Sequence, residues 1–237
     1  MYNKNMCIKR WKKIVLIVLA ALIVIIGALA LWQRNNLKAI HAALSQDREA
    51  LAQNVQKKAD EHQEAMESSG VIVTPPSVQQ TEDLLDGKVT ADEVKEALGI
   101  VALPASEEGA VKPDDAPATP TLSVEELLNR CVAELYSYQI DLMAQLGEMK
   151  QAALDQWTAL PAEERTSLRK QEIGMEGLRQ CYALEAETDA AVKEILARYQ
   201  KQFSQIGADT GTLDQLWTYY CEEKEAQKAF YLNKYLK

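Results

Sequence analysis

Residues 14–32 read IVLIVLAALIVIIGALALW, nineteen positions without a charge. As a helix rising about 1.5 Å per residue, this run is about 28 Å long, close to the roughly 30 Å hydrocarbon core of a bilayer. Trp11 and Trp32 bracket it, about 31 Å apart along such a helix, a separation that sets both indoles at headgroup level. Lys4, Lys9, Arg10, Lys12 and Lys13 precede the run with no acidic residue among them, whereas Arg34 and Lys38 alone follow closely. Basic flanks stay on the cytoplasmic side, so the expectation is a single transmembrane helix with residues 1–13 as a cytoplasmic tail and the remainder outside the cell membrane.

A cleaved signal peptide is the competing reading, because Ala28-Leu29-Ala30 offers small residues at the spacing signal peptidase accepts and Gly27 stands just before it. Against cleavage, the run exceeds the usual h-region, and helix-forming sequence continues from Gln33. An uncleaved anchor is therefore the expectation, with a secreted helical protein as the alternative.

Residues 33–237 carry 21 Lys and Arg against 35 Asp and Glu, a net charge of −14. Nucleic acid is excluded as a partner, since its phosphates demand basic side chains, and the averaged charge also argues against attraction to anionic lipid. Three cysteines, Cys131, Cys181 and Cys221, follow the run. An odd number cannot pair completely within one chain, and each lies on or beside an apolar stripe, so buried thiols are expected rather than a disulfide framework.

Residues 33–67 are polar and free of Gly and Pro, with Leu37, Leu44 and Leu51 seven apart. They read as a helical stalk, a weak coiled coil that either joins a second copy in a homodimer or stands alone and solvated. Residues 68–120 hold six of the seven prolines and no aromatic side chain, the composition of a flexible linker. One small helical hairpin is expected within it, at residues 81–98, with Asp86-Gly87 at the turn, a Thr90/Glu93 capping box and Gly99 closing the second helix. Glu82 to Glu93 has the length of an EF-hand loop, but Leu84 stands at an oxygen-ligand position and Glu82 where Asp is required, so no calcium site is assigned.

Residues 121–237 hold nearly all the remaining aromatics and read as the folded domain. Ser123 and Glu126 form a capping box, with Leu122 and Leu127 as a hydrophobic staple. From Leu128 through Cys131, Leu135, Tyr138, Leu142, Leu146, Met149 and Ala153 to Trp157, apolar residues recur at steps of three and four, the pattern of one long amphipathic helix. A second helix is expected to start at Pro161 and run to about Ile206, with Met175 and Leu178 on its apolar face and Gly174 and Gly177 as points of weakness. Gly207 caps it, and a Thr212/Gln215 capping box opens a third helix. The fold class is all-α, and short connections predict an antiparallel three-helix bundle.

No catalytic, cofactor-binding or metal-binding residue is assigned. The two histidines, His41 and His62, both fall in the stalk, which deprives the bundle of histidine-based catalysis and zinc ligation. Ser167 and Lys170 match a Ser-x-x-Lys motif whose companion motifs are missing. The third helix carries aromatics on several sides, and Tyr219, Tyr231 and Tyr235 are the candidate partner-binding face, with core filling as the other reading. Basic tail, single span and coiled stalk together are similar in layout to bitopic bacterial division and envelope-scaffold proteins. The expected function is a non-catalytic scaffold or interaction component of the cell envelope with an envelope-protein partner. The alternative is a ligand-sensing ectodomain.

Overall fold

The computed structural model describes residues 34–100 and 122–236. Residues 1–13, expected to form a cytoplasmic tail, the apolar run and residues 101–121 lie outside the described residues, and among those described no helix is long and apolar enough to cross a membrane. The described chain is all-α: α1 (Arg34–Ser45), α2 (Arg48–Ser68), α3 (Val78–Leu85), α4 (Ala91–Ala97), α5 (Val124–Thr158), α6 (Ser167–Gln205) and α7 (Gly211–Leu236), with a 3₁₀ turn at Ala162–Glu164.

Local chemistry sets most of the ends. Ser77 with Gln80, Thr90 with Glu93, and Ser123 with Glu126 each form a reciprocal capping box, satisfying amides that a first helical turn leaves without partners. Gly70, Gly99 and Gly207 end α2, α4 and α6 at φ of 86°, 66° and 70°, a left-handed conformation that side chains with a Cβ rarely adopt.

Contacts divide the chain into two units, residues 59–220 and residues 1–58 with 221–237. The larger unit is built on one cluster: Leu127, Leu128, Cys131 and Val132 of α5, Val192, Leu196, Tyr199 and Phe203 of α6, Leu213 and Leu216 of α7, and Met66 and Val71. Phe203, 1% exposed, is the largest side chain so deeply buried. Leu122 packs on this cluster beside Leu127, which closes the expected staple.

A second buried stripe on α5, Ile140, Met143 and Gly147, recurs at steps of three and four and adjoins the α3–α4 hairpin. A Cβ on Gly147 would stand 2.6 Å from the Leu84 carbonyl oxygen, so helix and hairpin meet backbone to backbone. Lys150 Nζ donates to the Leu85 carbonyl at 3.2 Å and to Asp86 at 2.6 Å, and Lys95 Nζ donates to Asp141 at 2.6 Å. One lysine thus supplies donors that the C-terminal end of α3 lacks.

The smaller unit pairs α1 and the start of α2 with the end of α7. Leu51, 1% exposed, packs with Ala39, Ala229 and Phe230, and the Arg48 guanidinium lies 5.6 Å from the centre of the Phe230 ring. Lys58 Nζ donates to Glu222 at 2.8 Å, while Asn233 Nδ2 donates to the carbonyls of Ala43 at 2.6 Å and Gln46 at 3.1 Å. Partner numbers rise on one strand of this pairing as they fall on the other, so the two run antiparallel.

Several expectations are corrected. Residues 33–67 do not form one free-standing stalk: the described part breaks between Ser45 and Arg48, Asp47 caps the new helix by accepting from the Ala50 amide at 2.7 Å, and Leu51 of the supposed coiled-coil seam is buried within its own chain. The first part of the 68–120 linker is ordered by packing, with Val71, Leu84, Leu85, Val94 and Ile100 all buried; low aromatic content hid apolar residues that α5 covers. The hairpin's first helix starts at Val78 on its Ser77 cap, not near Thr81. Pro161 precedes a 3₁₀ turn, and α6 starts at Ser167 on a Thr166 cap. Thr212 already lies inside α7. Gly174 and Gly177 neither break nor end α6, and Met175 is 66% exposed rather than on its buried face.

Candidate interaction surface

The aromatic residues of α7 divide among distinct surroundings. Tyr219 stacks on the buried His62 of α2, ring centres 4.2 Å apart and planes inclined by 21°. Its neighbour Tyr220 donates its hydroxyl to Asp189 of α6 at 2.6 Å and lies 5.3 Å from Trp217, over which Lys193 Nζ sits at 4.9 Å. Each ring places an apolar body against helix and turns a polar or cationic partner toward its edge or face. Tyr231, in the smaller unit, is half-buried and meets Phe230 edge-on at 5.1 Å. The side chain of Tyr235 lies outside the described residues. Tyr219 and Tyr231, predicted as one face, thus belong to different units, and both make contacts within the chain.

A charged contact at the surface, with Arg198 exposed and Glu134 half-buried, joins α5 to α6. Glu134 accepts from the Arg198 guanidinium and from the Tyr199 hydroxyl, the latter at 3.1 Å. Burial, then the Glu134 charge, push the Tyr199 hydroxyl well above its usual range. Burial likewise pushes the Cys131 thiol up to about 12, which keeps it protonated and suppresses the thiolate that nucleophilic chemistry requires. Cys181 and Cys221 are half-buried, and all three cysteines are thiols.

The acidic hairpin turn that resembles a calcium loop in length is occupied by the chain's own cations. Lys150 at 2.6 Å and Lys88 at 3.1 Å bracket Asp86, and hydrogen bonds from these two ammonium groups lower its carboxyl to about 2. Glu93 is engaged in capping, accepting from the Thr90 amide at 2.7 Å and the Thr90 hydroxyl at 2.9 Å. Among the described residues no three His, Cys, Asp or Glu side chains converge as metal ligands. Ser167 and Lys170 lie exposed in the first turn of α6.

Comparison with known proteins adds no relative. No family model, no curated protein and no solved structure matches the chain. Its functional reading therefore rests on its own residues.

Sequence reasoning missed Asn233 and Gly147, each of which meets backbone distant in sequence. A signal existed for each: an amide side chain amid the apolar residues of α7, and a glycine within an otherwise strong helical pattern, where it costs about 1 kcal/mol relative to Ala and calls for a packing reason.

Proposed function

We propose that this protein is a single-pass membrane component with a cytoplasmic N-terminus, which displays a non-catalytic helical interaction module on the outer face of the cell membrane and there engages an envelope-protein partner. The apolar run of residues 14–32 carries the reading: its length matches a bilayer, its tryptophans match the two interfaces, and its basic flank lies on one side only. The described fold is compatible with a different presentation from a free stalk and tether. Helix α7 packs back on α1, the first described helix after the apolar run, so on this reading the membrane-proximal helix belongs to a packed unit.

That same contact favours a second reading, a ligand-sensing ectodomain. A Pro-rich linker would dissipate a displacement, but the smaller unit pairs the end of α7 with α1, so a ligand that shifts α7 there acts on the helix next to the proposed anchor.

Alkaline extraction of membranes, with intact-mass analysis of the N-terminus and crosslinking mass spectrometry on residues 122–236, tests the proposal. Retention of Met1, resistance to extraction and a reproducible envelope-protein crosslink are expected. A mature chain starting at Leu31 and released from membranes would replace the anchor with a secreted protein.

A further inference from the structure

The larger unit carries its charge unevenly. Residues 59–220 hold 12 Lys and Arg against 30 Asp and Glu, a net of −18, yet residues 161–180, the turn before α6 and its first part, hold four of each. Two of those pairs close along the helix, Arg169 on Glu172 at 2.8 Å and Arg179 on Glu176 at 2.7 Å. The rest of the unit therefore carries all of its net charge, and this stretch carries none.

The same stretch presents apolar surface. Leu168 is 64% and Met175 66% exposed, and the half-buried Leu178 and Tyr182 continue from Met175 at steps of three and four. At about 100° per residue these four fall within about 80° of one another, a stripe about 21 Å long. Ile173, Leu184 and Thr188, the buried residues of this part of α6, lie on the other side of the helix by the same count. A single exposed apolar residue is ordinary, but a run of them on one stripe, opposite the core face, marks an interaction surface.

We infer that a second copy of this chain covers the stripe, α6 against α6 about a two-fold axis. Charge selects that occupant. Two units of −18 repel wherever their acidic surfaces meet, and the stretch of balanced charge is where they can approach. Antiparallel alignment lays the basic Arg169 and Lys170 of one copy along Glu172 and Glu176 of the other and turns Leu168 toward the other copy's Met175 and Leu178. Parallel alignment would instead put like charges side by side. Gln171 lies on the same stripe between Leu168 and Met175, and its amide, at once donor and acceptor, is suited to meet its own equivalent near the axis. The inference is independent of the anchor, because every residue it uses lies in the larger unit.

Sedimentation equilibrium of the full-length protein in density-matched neutral detergent provides the test. A monomer–dimer equilibrium is expected, weakened about a hundredfold or more by Leu168→Asp with Met175→Asp, since two-fold symmetry buries each substitution twice. The melting temperature of that variant should stay unchanged, because both side chains are exposed within the chain. Leu154→Asp, at another exposed apolar residue of the same unit, should leave the dimer intact. A protein that stays monomeric would overturn the inference. A dimer that survives the double substitution would overturn it too, assigning self-association to the apolar run or to residues 33–67. Should the double substitution abolish a crosslink to an envelope protein while the unaltered chain is monomeric, the stripe belongs to that protein and not to a second copy.

Discussion

The side-chain amide of Asn233 donates to the carbonyl of Ala43 at 2.6 Å, across 190 positions of sequence. Asn233 is only 4% exposed and Ala43 wholly buried, and a second bond from the same nitrogen reaches the Gln46 carbonyl. These carbonyls flank the break between α1 and α2, where the helical ladder offers no donor. Asn233→Ala is expected to destabilise the protein by about 1–3 kcal/mol, the cost of leaving the buried Ala43 carbonyl without this donor. Chemical denaturation gives the magnitude, and faster amide exchange confined to residues 38–51 locates it.

Gly147 and Gly174 predict opposite outcomes for the same substitution. A Cβ at Gly147 meets the Leu84 carbonyl at 2.6 Å, whereas one at Gly174 meets nothing within 4 Å. Both alanines gain up to about 1 kcal/mol of helix propensity, but at Gly147 the overpacking cost of about 1–3 kcal/mol exceeds it. Thermal melts are therefore expected to show Gly147→Ala destabilised and Gly174→Ala stabilised. A stabilised Gly147→Ala would mean the hairpin does not dock there.

Acid is expected to loosen the α3–α4 hairpin before it unfolds the core. The Asp86 carboxyl sits at about 2 in the folded protein against an ordinary 3.8, because Lys150 and Lys88 hydrogen-bond its charged form. A lowered folded value means that the contribution is present in full above the ordinary value and is lost as pH falls through the folded one, so the window runs from about pH 4 to about pH 2. Hydrogen exchange of residues 78–97 across that range checks it, with Asp86→Asn weakening the dependence and leaving the part due to Asp83 and Glu93, whose carboxyls are also lowered. Glu176 is lowered to about 2 as well, but by Arg179 one turn along the same helix, and its protonation leaves hairpin docking unchanged.

Cys131 is expected to resist alkylation in the native protein. Its folded value of about 12, against an ordinary 9.0, lowers the thiolate population on the order of a thousandfold, and burial blocks the reagent besides. Iodoacetamide labelling at mildly alkaline pH, resolved by peptide mass, should modify Cys131 only after denaturant is added. Rapid native labelling would place the thiol at an open surface.

Tyr231→Ala separates packing from partner binding. The ring contacts the buried Phe230 and packs on the cluster around Leu51, so truncation is expected to cost about 1–3 kcal/mol through lost apolar burial and the edge-on pair. An unchanged melting temperature with loss of a crosslinked envelope protein would assign the side chain to a partner instead.

Helix ends were legible in the sequence wherever a side chain acts on backbone three residues away. The Thr90/Glu93 and Ser123/Glu126 boxes formed, and Gly99 and Gly207 took the left-handed conformation their positions implied. The Leu128-to-Trp157 periodicity marked one face of α5. It did not reveal that Ile140, Met143 and Gly147 serve a second face, because periodicity identifies a stripe without identifying what covers it. Pro161 misled for a related reason: its fixed φ suits a helix start, but Thr166 offered a capping hydroxyl that the longer helix used.

The sequence by itself determined an all-α chain, the positions of most caps, and an apolar run whose length and flanks suit a bilayer, since each depends on residues within a few turns of one another. Tertiary structure decided the pairings. Helix α7 carries aromatic and apolar residues around much of its circumference, so its pattern alone selects no neighbour; Leu51, Asn233 and the Ala43 carbonyl select it by fitting together. Such a fit cannot be read from chain order, because Asn233 and Ala43 stand 190 positions apart and only the fold brings them together.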